Sequence, residues 1–110
     1  MVDVTAARGG TMPTEVYRYH FDDVVPAEEV ESTLVLSLFA IEFLHGASQT
    51  RLDAGHAFDA EKRAVVIDAT TTVGRDLNRV FIGLITREFG AGCIRVERVQ
   101  QKLLPEPVTA

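Results

Sequence analysis

The sequence predicts an α+β domain whose strands and helices follow in the order β-α-β-β-α-β. Four segments show the alternating or β-branched pattern that is typical of strands, and two long segments carry apolar residues at helical spacing. Each helical segment is followed by a glycine, which commonly ends a helix. The 110 residues suit one domain with a modest core.

The first strand is predicted over residues 15–23, where large aromatic side chains alternate with polar ones. Tyr17 and Tyr19 share one side, and Arg18 and His20 share the other. Such alternation is typical of a strand with one face in the core and one in solvent. We expect the aromatic side to face the helices.

Three further strands are predicted at residues 50–58, 63–69 and 93–99. In the first of these, Leu52 and His56 share one side, while Arg51 and Asp53 share the other. The apolar, β-branched run 63–69 is typical of a central strand. Residues 59–62 predict a type I turn, which would join the second and third strands in a hairpin.

Helices are predicted over about 26–45 and 72–89. Pro26 suits the first turn of a helix, and Gly46 and Gly90 follow the two ends. Because crossovers are right-handed, this order favours a four-stranded antiparallel sheet with both helices on one face. That arrangement is the ferredoxin-like βαββαβ two-layer sandwich, which supports many unrelated functions.

The domain is predicted to span residues 14–100. Residues 1–13 are small, polar and glycine-containing, and we expect a flexible N-terminal tail. Residues 101–110 contain two closely spaced prolines and predict a C-terminal tail.

Composition narrows the classes of function. The net charge is −5, which argues against generic binding to nucleic acid or to anionic membranes. The longest apolar-rich run, 34–44, is too short to span a bilayer. Cys93 is the only cysteine, and the N-terminal residues lack a signal-peptide pattern, so we expect a cytoplasmic protein.

The first predicted helix is more apolar than a helix with one buried stripe requires. The stripe expected to face the sheet contains five residues: Val30, Leu34, Leu38, Ile41 and His45. Val35 and Phe39 lie on a flank that the sheet does not cover, and we predict that they form an interface with a second copy or another protein. The alternative is that they are ordinary scattered surface residues.

A second candidate interface is the face of the sheet that its own helices leave open. Arg18 and His20 are expected there, together with Arg51, Asp53, Arg95 and Glu97. Three interpretations stay open for this face: a solvated surface with cross-strand ion pairs, a dimer formed by stacked sheets, or a groove for a polar ligand.

The start of the second predicted helix is a candidate anion site. Thr71, Thr72 and Gly74 lie where unpaired N–H groups need acceptors, and Arg75 and Arg79 share one face of the helix. A small anion or a nucleotide phosphate could bind there. The alternative is that a threonine caps the helix and the arginines pair with acids such as Glu42.

Neither metal binding nor catalysis has a sequence signature. His20 and His56 are expected on opposite faces of the sheet, and Glu42-x-x-His45 occurs only once. Cys93 is expected to be an inert thiol. The sequence has no Gly-rich phosphate loop and no nucleophile elbow, so we expect no metal and no cofactor.

The sequence therefore favours a small, non-catalytic association module that forms homo-oligomers or binds a protein partner. The alternative is a regulatory domain that binds a small anion or a nucleotide at the start of the second helix. An enzyme comes third, because no acid–base or nucleophile group can be assembled from the predicted elements.

Overall fold

The structure, a computed structural model, describes residues 15–99. Both predicted tails, 1–13 and 101–110, lie outside the described residues. Residues 15–99 form four strands and three helices, and the short 3₁₀ turn Ala91–Cys93 precedes the last strand. The elements in chain order are β1 (Val16–Phe21), α1 (Ala27–His45), α2 (Ala47–Asp53), β2 (His56–Asp59), β3 (Ala64–Asp68), α3 (Thr72–Phe89) and β4 (Ile94–Val99).

The four strands form one antiparallel sheet in the order β2-β3-β1-β4. In the register of the two central strands, Tyr19 of β1 lies opposite Val65 of β3, and on the other side it lies opposite Val96 of β4. The hairpin β2–β3 is antiparallel, as predicted, with Phe58 opposite Val65. An α+β domain with a four-stranded antiparallel sheet is thus confirmed.

The core lies against the aromatic side of β1. Tyr19 and Phe21 are buried, and their rings lie 6.4 and 6.0 Å from the ring of Phe81 in α3. The Tyr19 hydroxyl donates a hydrogen bond to Asn78 Oδ1 at 2.6 Å, so the buried polar end of the side chain has a partner. The prediction that the aromatic side of β1 faces inward is confirmed.

Both long helices contribute to this core. Val30, Leu34 and Ile41 of α1 belong to the same buried cluster as Leu77 and Phe81 of α3. The bounds of α3 match the predicted range 72–89, and those of α1 match 26–45 within one residue. Apolar spacing and the terminal glycines therefore predicted both helices well.

The predicted strand over 50–58 is wrong in its first half. Residues Ala47–Asp53 form the helix α2, and only His56–Asp59 pairs with β3. Arg51 and Asp53 therefore lie on a helix and not on the open face of the sheet. Leu52, expected to alternate inward, is 79% exposed.

The physical reason for the short β2 is the length of its partner. Strand β3 ends at Asp68, whose N–H donates to the Gly55 carbonyl oxygen. The next residue, Ala69, donates instead to the Glu15 carbonyl oxygen before α3 begins. Residues before Gly55 thus have no ladder to join, and they satisfy their backbone groups as a helical turn.

A backbone clamp fixes the connection between β1 and α1. The Arg63 guanidinium donates to the carbonyl oxygens of Asp22, at 2.8 Å, and of Val25. Val25 is fully buried and closes the end of the core. This clamp positions the first turn of α1 against the β2–β3 hairpin.

Candidate functional site

The two sides of α1 carry an unusual distribution of side chains. On the buried side are Thr33 and Ser37, and the Ser37 hydroxyl donates to the Thr33 carbonyl oxygen at 2.7 Å. Five large apolar residues of α1 are exposed; this set is the outer face of α1, and its members are Val35, Leu36, Phe39, Phe43 and Leu44. Two small polar residues thus share the buried side with Val30, Leu34 and Ile41, while five large apolar residues are left in water.

Exposure is greatest towards the end of α1. Phe39 is 54% exposed and Phe43 is 88% exposed, so neither ring packs fully against its own domain. The helix α3 does not cover these two rings. The sequence identified Val35 and Phe39 as interface residues but not Leu44, which is 71% exposed near the end of α1.

A shallow groove runs along the first half of the outer face. It has a volume of about 520 Å³, and its lining residues are Glu31, Ser32, Val35, Leu36 and Phe39. The small Ser32 leaves the space between the larger side chains. Glu28 and Glu29 lie in the first turn of α1, so this end of the face is acidic.

The open face of the sheet carries a compact charge cluster. Glu97 Oε1 lies 2.9 Å from His20 Nε2 and 3.2 Å from Arg18 Nη1. These hydrogen bonds hold the pKa of Glu97 below its ordinary value, and the bond with His20 has the larger effect, followed by the bond with Arg18. The predicted placement of Arg18, His20 and Glu97 on one face is confirmed, and the cluster fits the interpretation as a solvated face with cross-strand ion pairs.

Beside this cluster is a second groove, of about 620 Å³. Three small apolar residues, Ala57, Ala64 and Val66, line it together with Arg18 and His20. Glu97 partly satisfies both of these basic side chains. Asp59, Glu61 and Lys62 also line the groove, so its walls combine small apolar residues with charges of both signs.

The start of α3 is capped by its own residues. Thr71 is the N-cap: its hydroxyl oxygen accepts from the Gly74 N–H at 2.9 Å, and the hydroxyl donates to the Asp53 carbonyl oxygen at 2.9 Å. Capping of this kind occupies an N–H group that an anion would otherwise contact. The Thr71 hydroxyl also ties the end of α2 to the start of α3.

Gly74 has a steric role at the same place. A Cβ atom added there would lie 2.0 Å from the Asp68 carbonyl oxygen. The glycine therefore allows the first turn of α3 to pack against the end of β3. It is buried, so it does not open the backbone to a ligand.

The two arginines of the predicted anion site have different environments. Arg75 Nη1 donates to the Thr70 carbonyl oxygen at 3.1 Å, and Nη2 lies 3.4 Å from the Thr72 hydroxyl oxygen. Arg79 is 78% exposed, and its Nη1 lies 3.9 Å from Asp76 Oδ1. The first turn of α3 contains no acidic residue.

The expected pairing of Glu42 with these arginines is not formed. Within residues 15–99, the side-chain hydrogen bond that joins the end of α1 to α3 is between His45 Nε2 and Asp76 Oδ2, at 2.8 Å. The sequence placed these two helix ends side by side correctly but assigned the wrong pair of residues.

The other candidate residues show no assembled chemistry. His56 lies at the start of β2, where Nδ1 is 2.7 Å from the Ala54 carbonyl oxygen, and His20 lies on the opposite face. Residues 15–99 contain no group of three or more His, Cys, Asp or Glu side chains that could hold a metal ion. Burial raises the pKa of the Cys93 thiol, which lowers its reactivity.

Among the three helices described, none combines the length and apolar character needed to cross a bilayer. In comparisons with known proteins, no family model matches this chain, and no curated protein or solved structure gives a significant match.

The steric role of Gly74 predicts opposite effects for two glycines of α3. Gly74→Ala should lower the free energy of unfolding by about 1–3 kcal/mol, because the new methyl group meets backbone. Gly83→Ala, where a Cβ meets nothing within 4 Å, should raise it by roughly 0.5–1 kcal/mol. Urea unfolding of the two variants measures both changes, and a neutral Gly74→Ala would contradict the close packing.

The charge cluster predicts an acid-dependent contribution to stability. Because the pKa of Glu97 is lower in the folded state, its carboxylate favours folding above the ordinary glutamate pKa, and this contribution is lost as pH falls through the lowered pKa. Between about pH 5 and pH 3, the free energy of unfolding should fall less steeply for Glu97→Gln than for the unmodified chain. Glu88→Gln, at an exposed position of α3, is the control, and identical slopes for Glu97→Gln and the unmodified chain would contradict the cluster's role.

Proposed function

We propose that this chain is a small, non-catalytic association module that forms homo-oligomers through the outer face of α1. One observation carries the proposal: α1 exposes five large apolar side chains while it buries Thr33 and Ser37. A helix that is apolar on all sides is normally buried on all sides. The outer face of α1 is buried only if another molecule covers it.

The extent of the face supports the same proposal. Phe39 and Phe43 alone leave roughly 200–350 Å² of aromatic surface in water, given their exposure and the area of a phenylalanine side chain. With the three aliphatic residues, the patch reaches roughly 500 Å², near the upper end of what soluble monomers expose. Aromatic side chains are also enriched at the centres of protein interfaces.

The outer face of α1 is a better association surface than the open face of the sheet. On the sheet, Arg18 and His20 both bond to Glu97, so a partner there would have to bury or break an existing charge cluster. The outer face of α1 contains no charged residue among its five members. Covering these five side chains removes little polar surface from water, and Glu31 and Ser32 lie at their edge.

The wider identity of the module is part of this proposal. We infer that the fold is the ferredoxin-like sandwich: the sheet order β2-β3-β1-β4 and the shared core of α1 and α3 support two long helices on one face. A cytoplasmic location is supported by the single, buried and unpaired cysteine.

Sedimentation of the full chain tests the association surface. The unmodified chain should form dimers in the micromolar range, and Phe39→Glu should raise the dissociation constant about tenfold or more, because it buries a charge in an apolar contact. Leu52→Glu changes a more exposed apolar residue, in α2 and outside the face, and should leave the dissociation constant unchanged. A monomeric unmodified chain, or the same constant for all three proteins, would overturn the proposal.

The alternative function is binding of a small anion or a nucleotide phosphate at the start of α3. It is supported by two arginines one turn apart, by the exposure of Arg79 and by the lack of acids in the first turn. The capping by Thr71 and the nearby Asp76 carboxylate weaken it.

A thermal-shift titration tests this alternative. If the site binds anions, inorganic phosphate at constant ionic strength should raise the melting temperature of the unmodified chain and raise it less for Arg79→Ala. Arg87→Ala, which removes an arginine from the last turn of the same helix, should respond like the unmodified chain. Equal shifts for all three proteins would exclude a specific site.

A further inference from the structure

We infer that the occupant of the outer face of α1 is the α1 helix of a second copy, packed antiparallel about a two-fold axis. This inference depends on the proposed association surface and adds the identity, the direction and the register of its partner.

The first support is the spacing of residues along the outer face. Ser32, Leu36, Phe39 and Phe43 follow at intervals of four, three and four, the spacing of a seam between two packed helices. This series reads the same in both directions. An antiparallel copy therefore sets Leu36 opposite Phe39 of the second copy, and Ser32 opposite Phe43 of the second copy.

The second support is shape. The groove lies in the first half of α1 around Ser32, and the most exposed ring, Phe43, lies in the second half. Antiparallel packing brings the Phe43 ring of each copy to the groove of the other, twice by symmetry. Parallel packing would set ring against ring and groove against groove, which leaves the space at Ser32 unfilled.

The third support is charge. Glu28, Glu29 and Glu31 crowd the first turns of α1, and a parallel pair would bring both acidic clusters together. In the register given above, antiparallel packing separates the two acidic clusters by roughly 20–28 Å along the helix axis. It also opposes the two helix dipoles, which is favourable.

The available area suits a dimer with a second copy. Each copy offers roughly 500 Å² of apolar surface on this face, against about 800 Å² per partner in a stable interface of standard size. Exposed polar residues beside the seam, such as Glu31, supply the remaining rim.

Cross-linking between two single-cysteine variants tests the direction. Ser32→Cys and Phe43→Cys are made in the full chain with Cys93→Ser, and a short bismaleimide cross-linker is added to each variant alone and to their mixture. In an antiparallel pair, residue 32 lies beside residue 43 of the second copy. The two copies of residue 32 lie roughly 16 Å apart, and so do the two copies of residue 43. This distance is longer than the cross-linker can span.

We expect cross-linked product in the mixture at several times the yield of either variant alone. Efficient cross-linking of Ser32→Cys alone would show a parallel pair and overturn the inference. Sedimentation of the same samples and of the unmodified chain separates the two proposals. Dimers that depend on Phe39 but give no excess product in the mixture overturn only the antiparallel register, whereas an unmodified chain that is monomeric overturns the association surface itself.

Discussion

The contact between Phe81 of α3 and the aromatic side of β1 organises this domain. Phe81 is fully buried, and its ring meets both Tyr19 and Phe21. Because side chains alternate along a strand, holding Tyr19 and Phe21 inward places Arg18 and His20 on the opposite face. The position of the charge cluster around Glu97 thus follows from an aromatic contact on the other side of the sheet.

The same core explains why α1 has two unlike sides. The space between α1, α3 and the sheet is filled by Val30, Leu34 and Ile41, and small hydroxyl residues complete the buried side. A serine or threonine hydroxyl can be buried in a helix at little cost when it bonds to a carbonyl oxygen one turn earlier, as Ser37 does. The large apolar residues of α1 are therefore in excess of what its own core accommodates, and the association proposed above would cover them.

The start of α3 shows how a motif suggestive of ligand binding can be explained by folding alone. Thr71 satisfies an N–H group, Gly74 permits a close backbone approach, and Arg75 returns to the Thr70 carbonyl oxygen. Each residue thus has a structural partner, and only Arg79 extends into solvent with a weak contact. A cluster of capping residues indicates a helix start first, and a ligand only when some group in it lacks a partner.

The sequence by itself determined both long helices, the four strands in outline and the inward side of β1, because these depend on local periodicity and on glycines at helix ends. It also predicted that Val35 and Phe39 lie outside the core. Only the tertiary structure decided that residues 47–53 form a helix, since that outcome depends on where β3 ends and on the ladder that Gly55 and Asp68 close. The tertiary structure likewise decided that His45 contacts Asp76 and that Glu42 does not pair with Arg75 or Arg79. Side-chain pairing depends on distances of a few ångströms that no sequence period encodes.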